Sequence, residues 1–475
     1  MQYFPDLYID GRWTPPASGD TIDVRSPHNH ELVGRAPSAT TLDIDRAVSR
    51  ARVAFDAGPW PRMTPAKRAK YLQRLRDVYA ERQDAMVDLI VREVGSPIAW
   101  ASQTQAAHPL AILDYYIDLA SRYSFAEDRG TGTRVFREPV GVAGLITPWN
   151  MPQKTIFMKL VPALLAGCTV VIKPAPETPL DALFLAEIVH DVGLPPGVFN
   201  VVPADREVSE HLVTHPGVDK IAFTGSTATG RRVAALCGED IRRVSLELGG
   251  KSPAIVLDDA DLDAVVDGLR GDAFCNSGQI CSNHTRVLVS TERHDELMDR
   301  LRAMVASLRV GDPTDPATDV GPLVAKRQLD RVEDYIASGV DEGATLVHGG
   351  HRPEHLDRGW YIEPTLFTDV TNDMRIAREE IFGPVLCVIP YSTEREAVGL
   401  ANDTEYGLEA GVWTSDHQHG IGIARRLRAG TVRINGAAPS WHAPLGGFKQ
   451  SGYGRELGPE GLAGYLEPKA LAVPV

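Results

Sequence analysis

The run Thr169-Val-Val-Ile-Lys173 is β-branched along both faces, a pattern that predicts a strand buried on its two sides. Pro174 to Glu177 reads as the loop after it. Thr178 then reads as a helix N-cap, Pro179 as the first helical residue and Asp181 as the far member of a capping box. Leu180, Leu183, Phe184 and Ile188 fall on one helical face, and the helix is predicted to stop near Gly193. The same order returns at once. Lys220–Thr224 is a strand, Gly225 a loop, a helix runs through Ala234, and Arg243–Glu247 is the next strand. Strand–loop–helix repetition of this kind commits a chain to a parallel sheet with right-handed crossovers. Ligands of such sheets bind beyond the carboxyl ends of the strands.

Around this unit the texture changes twice. From about Leu42 to Ser121 apolar residues such as Tyr71, Leu72, Leu75 and Val78 recur at helical spacing among charges, predicting a helical block. After Ser252 a second α/β pattern begins. Its strands are expected at Ala254–Leu257, Arg286–Val289, Val385–Ile389 and Thr431–Ile434. Its helices are expected near Leu262–Phe274, Asp295–Leu308, Ala325–Ser338 and Arg395–Asn402.

With 49 Lys plus Arg against 63 Asp plus Glu, the net charge of −14 argues against a nucleic-acid or anionic-membrane partner. No apolar run is long enough for a membrane helix, and Met1 to Trp13 lacks the pattern of a secretory signal. Cys168, Cys237, Cys275, Cys281 and Cys387 are scattered and odd in number, which fits a reducing compartment, the cytoplasm by default.

Several common motifs fail. Gly225–Gly230 is followed by Arg231 and Arg232 where a P-loop needs Lys and Ser or Thr. No G-x-G-x-x-G opens a helix after a strand, and no G-x-S-x-G, HExxH or CxxC occurs. His211 and His215 share a helical spacing but lack a third ligand nearby in sequence, so ordinary surface histidines are expected and no metal is assigned. Three residues remain. Cys281 lies in a Gly-, Asn- and Ser-rich loop between a helix and a strand, where a thiol is more accessible than in a core; Cys275 sits at the apolar end of the preceding helix. Glu247 ends a buried-type strand before two glycines, where burial would tune it toward a base; a salt bridge to Lys251 or an arginine explains it as well. Asn150 follows the strand Val142–Ile146 and taken alone reads as a turn residue.

Together the segments resemble the aldehyde dehydrogenase superfamily. They are Pro148-Trp-Asn150, Lys173-Pro-Ala-Pro-Glu-Thr-Pro179, Phe223-Thr-Gly-Ser226 with Gly230, and Glu247-Leu-Gly-Gly-Lys251. Asn276-Ser-Gly-Gln-Ile-Cys281, Glu380-Ile-Phe-Gly-Pro-Val385 and Gly446 to Glu456 follow in the same order. Tyr8 to Trp13 matches the family's opening, so the likeness spans essentially the whole chain.

The resemblance implies NAD(P)⁺-dependent oxidation of an aldehyde to a carboxylic acid. Cys281 would be the nucleophile, Glu247 the base for the hydrolytic water, and Asn150 with the Cys281 N–H the oxyanion donors. Lys173 would meet the adenosine ribose, Gly225 and Ser226 the pyrophosphate, Glu380 the nicotinamide ribose, with Phe382 and Trp149 lining the crevice. Lys159 matches a family lysine near the site, and a structural ion pair accounts for it equally. Pro176 stands where many NAD-preferring members carry an acidic residue, so NAD is expected with NADP possible.

The implied fold is α/β: a Rossmann-like parallel-sheet cofactor domain (1–118 and 140–249), an α/β catalytic domain (250–448) and a small β oligomerisation element (119–139 and 460–475). A homodimer or homotetramer follows by the same likeness. Met151, Thr155, Met158, Ile280, Ser282, Trp441, His442 and Leu445 are expected along the substrate tunnel, whose apolar character favours neutral aldehydes. A CoA-acylating branch, a semialdehyde dehydrogenase passing its acyl group to CoA, is the alternative, and Glu247 speaks against it. A non-catalytic member has no reason to keep Cys281, Asn150 and Glu247 together, and a cofactor-free thiol hydrolase no reason to keep the dinucleotide segments.

Overall fold

The computed structural model describes residues 2–474. Thr169–Lys173, Lys220–Thr224 and Arg243–Glu247 are strands over the predicted residues, and Val142–Ile146 lies among them. They belong to an eight-stranded sheet. Its order is Gly452–Tyr453, Arg243–Glu247, Lys220–Thr224, Val142–Ile146, Thr169–Lys173, Phe199–Val201, Leu7–Ile9 and Arg12–Thr14. The inner strands, from Arg243–Glu247 to Phe199–Val201, are parallel.

Strand alternation feeds both faces of this sheet. Leu145 and Ile172 join one apolar cluster, Ile146 and Val171 another on the far side. The chain order reverses beside Val142–Ile146. It runs outward through Thr169–Lys173 and Phe199–Val201, then returns to place Lys220–Thr224 on the opposite flank. Register sets Ile146 against Lys173 and Phe223, and Thr224 against Glu247, so these residues share one carboxyl edge.

One local expectation is overturned. The helix after Lys173 runs Leu180–Val192 and ends at the left-handed Gly193, but no capping box forms. Pro179 occupies the cap position, where it offers no side-chain acceptor, and the Thr178 hydroxyl is buried without a partner. Glu93, from the helix Gln83–Val94, accepts instead from the Leu180 and Asp181 N–H groups at 3.2 and 3.0 Å. Asp181 turns to the amide of Gln153. A carboxylate from a neighbouring helix satisfies the same orphan donors that a cap would, and sequence spacing cannot reveal it.

The second sheet has seven strands, in the order Thr345–His348, Thr365–Thr368, Val385–Tyr391, His284–Ser290, Ser252–Val256, Glu409–Trp413, Thr431–Ile434. All neighbours are parallel except the first pair. The predicted strands and helices here all form: Leu262–Phe274 and Thr431–Ile434 match end to end, and the others have ends shifted by at most three residues. Thr345–His348, Thr365–Thr368 and Glu409–Trp413 were not anticipated; the last opens on Glu409 and is buried beyond it.

Thr133–Pro139 pairs antiparallel with Ala126–Asp128 and with Leu466–Ala472 of the same chain, forming a separate three-stranded sheet. Leu466–Ala472 is its edge strand and is mostly exposed. No helix among the described residues is long and apolar enough to cross a membrane.

The helix Pro152–Ala166 is buried nearly all round. A helix in that setting can keep a charged side chain only at a cost unless a partner is supplied. Lys159 has partners; Lys154 is treated below.

His211 and His215 do gain a third neighbour, Asp45, from the helix Thr41–Asp56. His211 Nε2 and His215 Nε2 lie 2.6 and 3.4 Å from Asp45 Oδ1. The Gly217 N–H donates to His215 Nδ1 at 2.9 Å, so the ring's proton sits on Nε2 and faces the carboxylate. This is a hydrogen-bonded clasp between two helices, and its third member was invisible in the sequence because it is 166 residues away.

Candidate active site

Cys281 follows a loop held in an unusual backbone conformation. Asn276, Ser277 and Gly278 are successive left-handed residues, with φ of 50°, 59° and 72°. For the two non-glycine residues this costs of order 1–3 kcal/mol each and survives only when the surroundings over-determine it. The surroundings are a buried polar web. Asn276 Nδ2 donates to the Asn150 carbonyl at 2.9 Å, and Ser96 Oγ donates to Asn276 Oδ1 at 2.6 Å. Ser277 Oγ donates to the Gly321 carbonyl at 2.8 Å, and Val324 N–H donates to Gln279 Oε1 at 3.0 Å. At Gly278 a Cβ would strike the Gly383 carbonyl, so only glycine fits.

Asn150 is buried, and its Nδ2 donates to the Gln279 carbonyl at 2.8 Å. That bond uses one of the amide's two protons and anchors the side chain beside the cysteine loop; the second proton is left for another acceptor. Cys281 is half-buried, and its thiol is pushed up to about 12, first by burial and then by the nearby charge of Glu380, with Lys154 acting in the opposite direction. The resting sulfur is therefore a thiol at neutral pH. Cys275, the helix C-cap, donates to Asn283 Oδ1 at 3.5 Å and is likewise pushed up to about 12 by burial.

Glu247 is buried at its strand end, with neither carboxylate oxygen hydrogen-bonded. The salt bridge to Lys251 weighed from sequence does not form; the Lys251 ammonium is itself buried without a partner. Burial, and then the charge of Glu456, hold the Glu247 carboxyl well above the usual range. Lys159, fully buried, donates to Thr224 Oγ1 at 2.5 Å and forms an ion pair with Glu456. The strip from Trp441 to Gly446 passes over this pair of carboxyls: a Cβ on Gly446 would lie 2.7 Å from Glu247 Oε1.

Beyond the same strand ends lies a crevice of about 560 Å³, lined by Trp149, Lys173, Gly225, Ser226 and Thr229 among others. Ser226 caps the helix Thr227–Glu239, so that helix's free N–H groups open on the crevice. Lys173 is buried there with no carboxylate paired to it, and burial lowers it to about 8. The Gly225 position is closed to side chains by the ring of Phe223, 2.5 Å from where a Cβ would stand. Outside that lining, Glu380 accepts from the Gly250 N–H at 3.1 Å through one oxygen, and burial raises it to about 7. Phe382, at φ 63°, sets its ring edge-on to Trp149, which lines the crevice, at 5.3 Å between centroids. A buried cation and a helix N-terminus on one crevice fit the anionic part and a ribose of a dinucleotide.

The aldehyde dehydrogenase family pattern matches residues 13–471. The chain belongs to that family. It is 46% identical to the geranial dehydrogenase of Castellaniella defragrans, over 98% of each chain. It is 43% identical to the 3-succinoylsemialdehyde-pyridine dehydrogenase of a Pseudomonas species, over 99% of each. A crystal structure of a Mycobacterium tuberculosis aldehyde dehydrogenase complexed with NAD⁺ superposes with a TM-score of 0.98 at 45% identity, covering 99% of this chain and 98% of that one.

In this aldehyde dehydrogenase the fold gathers Asn150 and the Cys281 loop, sets Glu247 on the neighbouring strand edge, and puts Trp149, Lys173, Gly225 and Ser226 around the crevice. Sequence reasoning missed Glu456 as a neighbour of Glu247. It sits inside a quoted segment, but its closeness to Lys159, 297 residues away, is purely tertiary. Gln105, whose amide donates to Ser96 and to the Asn150 carbonyl, was also missed and carries no sequence signal.

Proposed function

We propose that this aldehyde dehydrogenase oxidises an aldehyde to its carboxylic acid with NAD⁺ through a covalent Cys281 intermediate that Glu247 helps water to release. The observation that carries the reading is the Asn150 amide, anchored to the loop that presents Cys281 and left with one free proton. The Cys281 sulfur attacks the carbonyl carbon and its proton passes to solvent, giving a thiohemiacetal oxyanion. Asn150 Nδ2 and the Cys281 backbone N–H are the donors assigned to that oxygen. NAD⁺, when bound, supplies the acceptor for the hydride that leaves the former aldehyde carbon. A thioester remains on Cys281. Glu247 takes a proton from water, the water attacks the thioester, and the acid departs as the thiol is restored. Lys159 and Glu456 are positioning residues here; they fix the field in which Glu247 titrates.

Asn150→Ala is expected to lower kcat about 10²–10³-fold, the usual loss for one oxyanion donor. Stopped-flow NADH formation checks it, and an unchanged acylation rate would remove Asn150 from the oxyanion site.

Lys173 is assigned to the adenosine ribose, Ser226 and its helix to the pyrophosphate, and Glu380 to the nicotinamide ribose. NAD⁺ is the main acceptor and NADP⁺ a second one. Pro176 beside the crevice neither accepts from a 2′-hydroxyl nor repels a 2′-phosphate, and Arg206 and Arg232 line the same wall. Turnover with NADP⁺, slower than with NAD⁺, is the expected outcome of assaying both dinucleotides. A complete absence of NADP⁺ turnover would refute the dual assignment.

The proposed division places cofactor binding in 1–118 and 140–249, catalysis in 250–448, and assembly in the arm of 119–139 and 460–475. The open edge of Leu466–Ala472 supports a homodimer or homotetramer, because an unpaired edge strand is a template for another chain. A monomeric mass by light scattering would exclude both. The scattered free cysteines support a cytoplasmic setting.

A further inference from the structure

Lys154 carries a charge that the mechanism above does not use. It lies on the first turn of the buried helix Pro152–Ala166, four residues after Asn150. Its ammonium is half-buried, and among the described residues neither an ion pair nor a hydrogen bond holds it. Burial lowers its pKa, and the charges of Cys281, Glu409, Cys275 and Glu456 act against that, in this order. The helix that carries it starts two residues after Asn150, whose amide is anchored to the loop that leads to Cys281.

The carboxylates in that set are engaged elsewhere. Arg433 Nε forms an ion pair with Glu409 Oε1 at 2.7 Å, and the same arginine pairs with Asp272, the carboxylate beside Cys275. Glu456 is paired with Lys159. The Lys154 ammonium stands 5.9 Å from the centroid of the Trp441 ring, on the strip that crosses Glu247. His108 packs edge-on to the same ring at 4.6 Å, and its Nδ1 is buried with no partner. Burial and the adjacent lysine charge drive His108 down to about 3, so the imidazole is neutral and Lys154 is the cation of the group.

We propose that Lys154, with Trp441 and His108, forms a subsite for an anionic group at the far end of the aldehyde, so that the preferred substrates are ω-carboxylated aldehydes. The inference rests on the dehydrogenase reading above and gives it a substrate class. A half-buried ammonium beside a ring, without an ion pair, gains most from an anionic acceptor. A neutral chain entering beside it strips water without replacing it, and a cationic amino aldehyde is repelled. His108 Nδ1, buried without a partner among the described residues, is a second polar atom beside the same ring. Lys154 is next in the chain to Thr155, one of the residues from which the sequence favours neutral aldehydes.

The test compares 4-oxobutanoate and 5-oxopentanoate with pentanal and 4-aminobutanal in the wild-type enzyme, Lys154→Met and Lys154→Glu. Lys154→Met is expected to lower the ratio of kcat/KM for the oxo acids to that for pentanal about 10- to 100-fold, mainly through KM for the oxo acids. Lys154→Glu should turn the preference toward 4-aminobutanal. A second readout needs no turnover. Glutarate should bind Cys281→Ala enzyme about 10-fold more tightly than pentanoate, and Lys154→Met in that background should erase the difference. An oxo-acid to pentanal ratio unmoved by either substitution, with glutarate and pentanoate bound alike, overturns the subsite and leaves oxidation of neutral aldehydes standing. Absence of NADH with every aldehyde, together with a Lys154-dependent glutarate preference, overturns the dehydrogenase reading and keeps the subsite.

Discussion

Cys281→Ala is expected to lower NAD⁺-dependent aldehyde oxidation about 10⁴–10⁶-fold, the scale seen when a covalent nucleophile is deleted. The loss should fall wholly on chemistry. Cys281 sits on the loop beyond Asn150, whereas the crevice assigned to the dinucleotide is lined by Lys173, Gly225 and Ser226 on the other sheet's strand ends. Dinucleotide affinity, measured by fluorescence titration, should therefore stay within about threefold of wild type, well under the 1.4 kcal/mol that a tenfold change represents. The variant should also fold normally. The left-handed run before residue 281 is fixed by Asn276, Ser277 and Gln279, and none of those bonds uses the sulfur. Wild-type-like turnover in this variant would falsify the nucleophile, and Cys275, whose thiol already binds Asn283, would be the one left to test.

The second large effect is expected from Glu247→Gln. A glutamine keeps the shape of the side chain but cannot take a proton from water, and losing a general base costs about 10²–10⁴-fold. Acylation does not need that base in the proposed sequence, so a burst of NADH should be followed by slow release, with acyl-enzyme visible by intact-protein mass. No burst and an unaltered steady rate would reject the role. The pH profile sharpens the test. Burial and Glu456 raise the Glu247 carboxyl above its ordinary value, so the base form appears only as pH rises through that raised value. Wild-type deacylation should climb with pH there, and the glutamine variant should lose the climb.

Stability should move with the opposite sign. A carboxyl raised in the folded state favours folding below its unfolded pKa, and that advantage is lost as pH rises through the folded value. Glu247→Gln should thus melt higher than wild type at pH 8, with the gap closing or reversing near pH 4. Thermal melts at the two pH values read this directly.

Much of the scaffold could be read from the chain because its strands are buried on both faces. Val142–Ile146, Thr169–Lys173 and Lys220–Thr224 are runs of apolar and β-branched residues that admit one interpretation. Glu409–Trp413 went unread although it is buried beyond its first residue, whose charge is paired with Arg433 in the fold. The cap of the helix after Lys173 failed for a tertiary reason. Thr178 and Asp181 have the right spacing, but Glu93 was placed at the helix end by a different helix and took both donors.

The sequence by itself determined which atoms can react: a loop thiol, a carboxyl at a strand end and an amide after another strand, in an order shared with one family. It also determined the parallel sheet, since alternation of strand and helix permits little else. Only the tertiary structure decided how those groups are tuned. Glu456 beside Glu247, Lys159 between them, and Lys154 left without a counter-ion all depend on residues far apart in the chain meeting in a region of low dielectric. There a charge is stabilised or penalised by whatever the fold brings within a few ångströms, and no local pattern encodes that company.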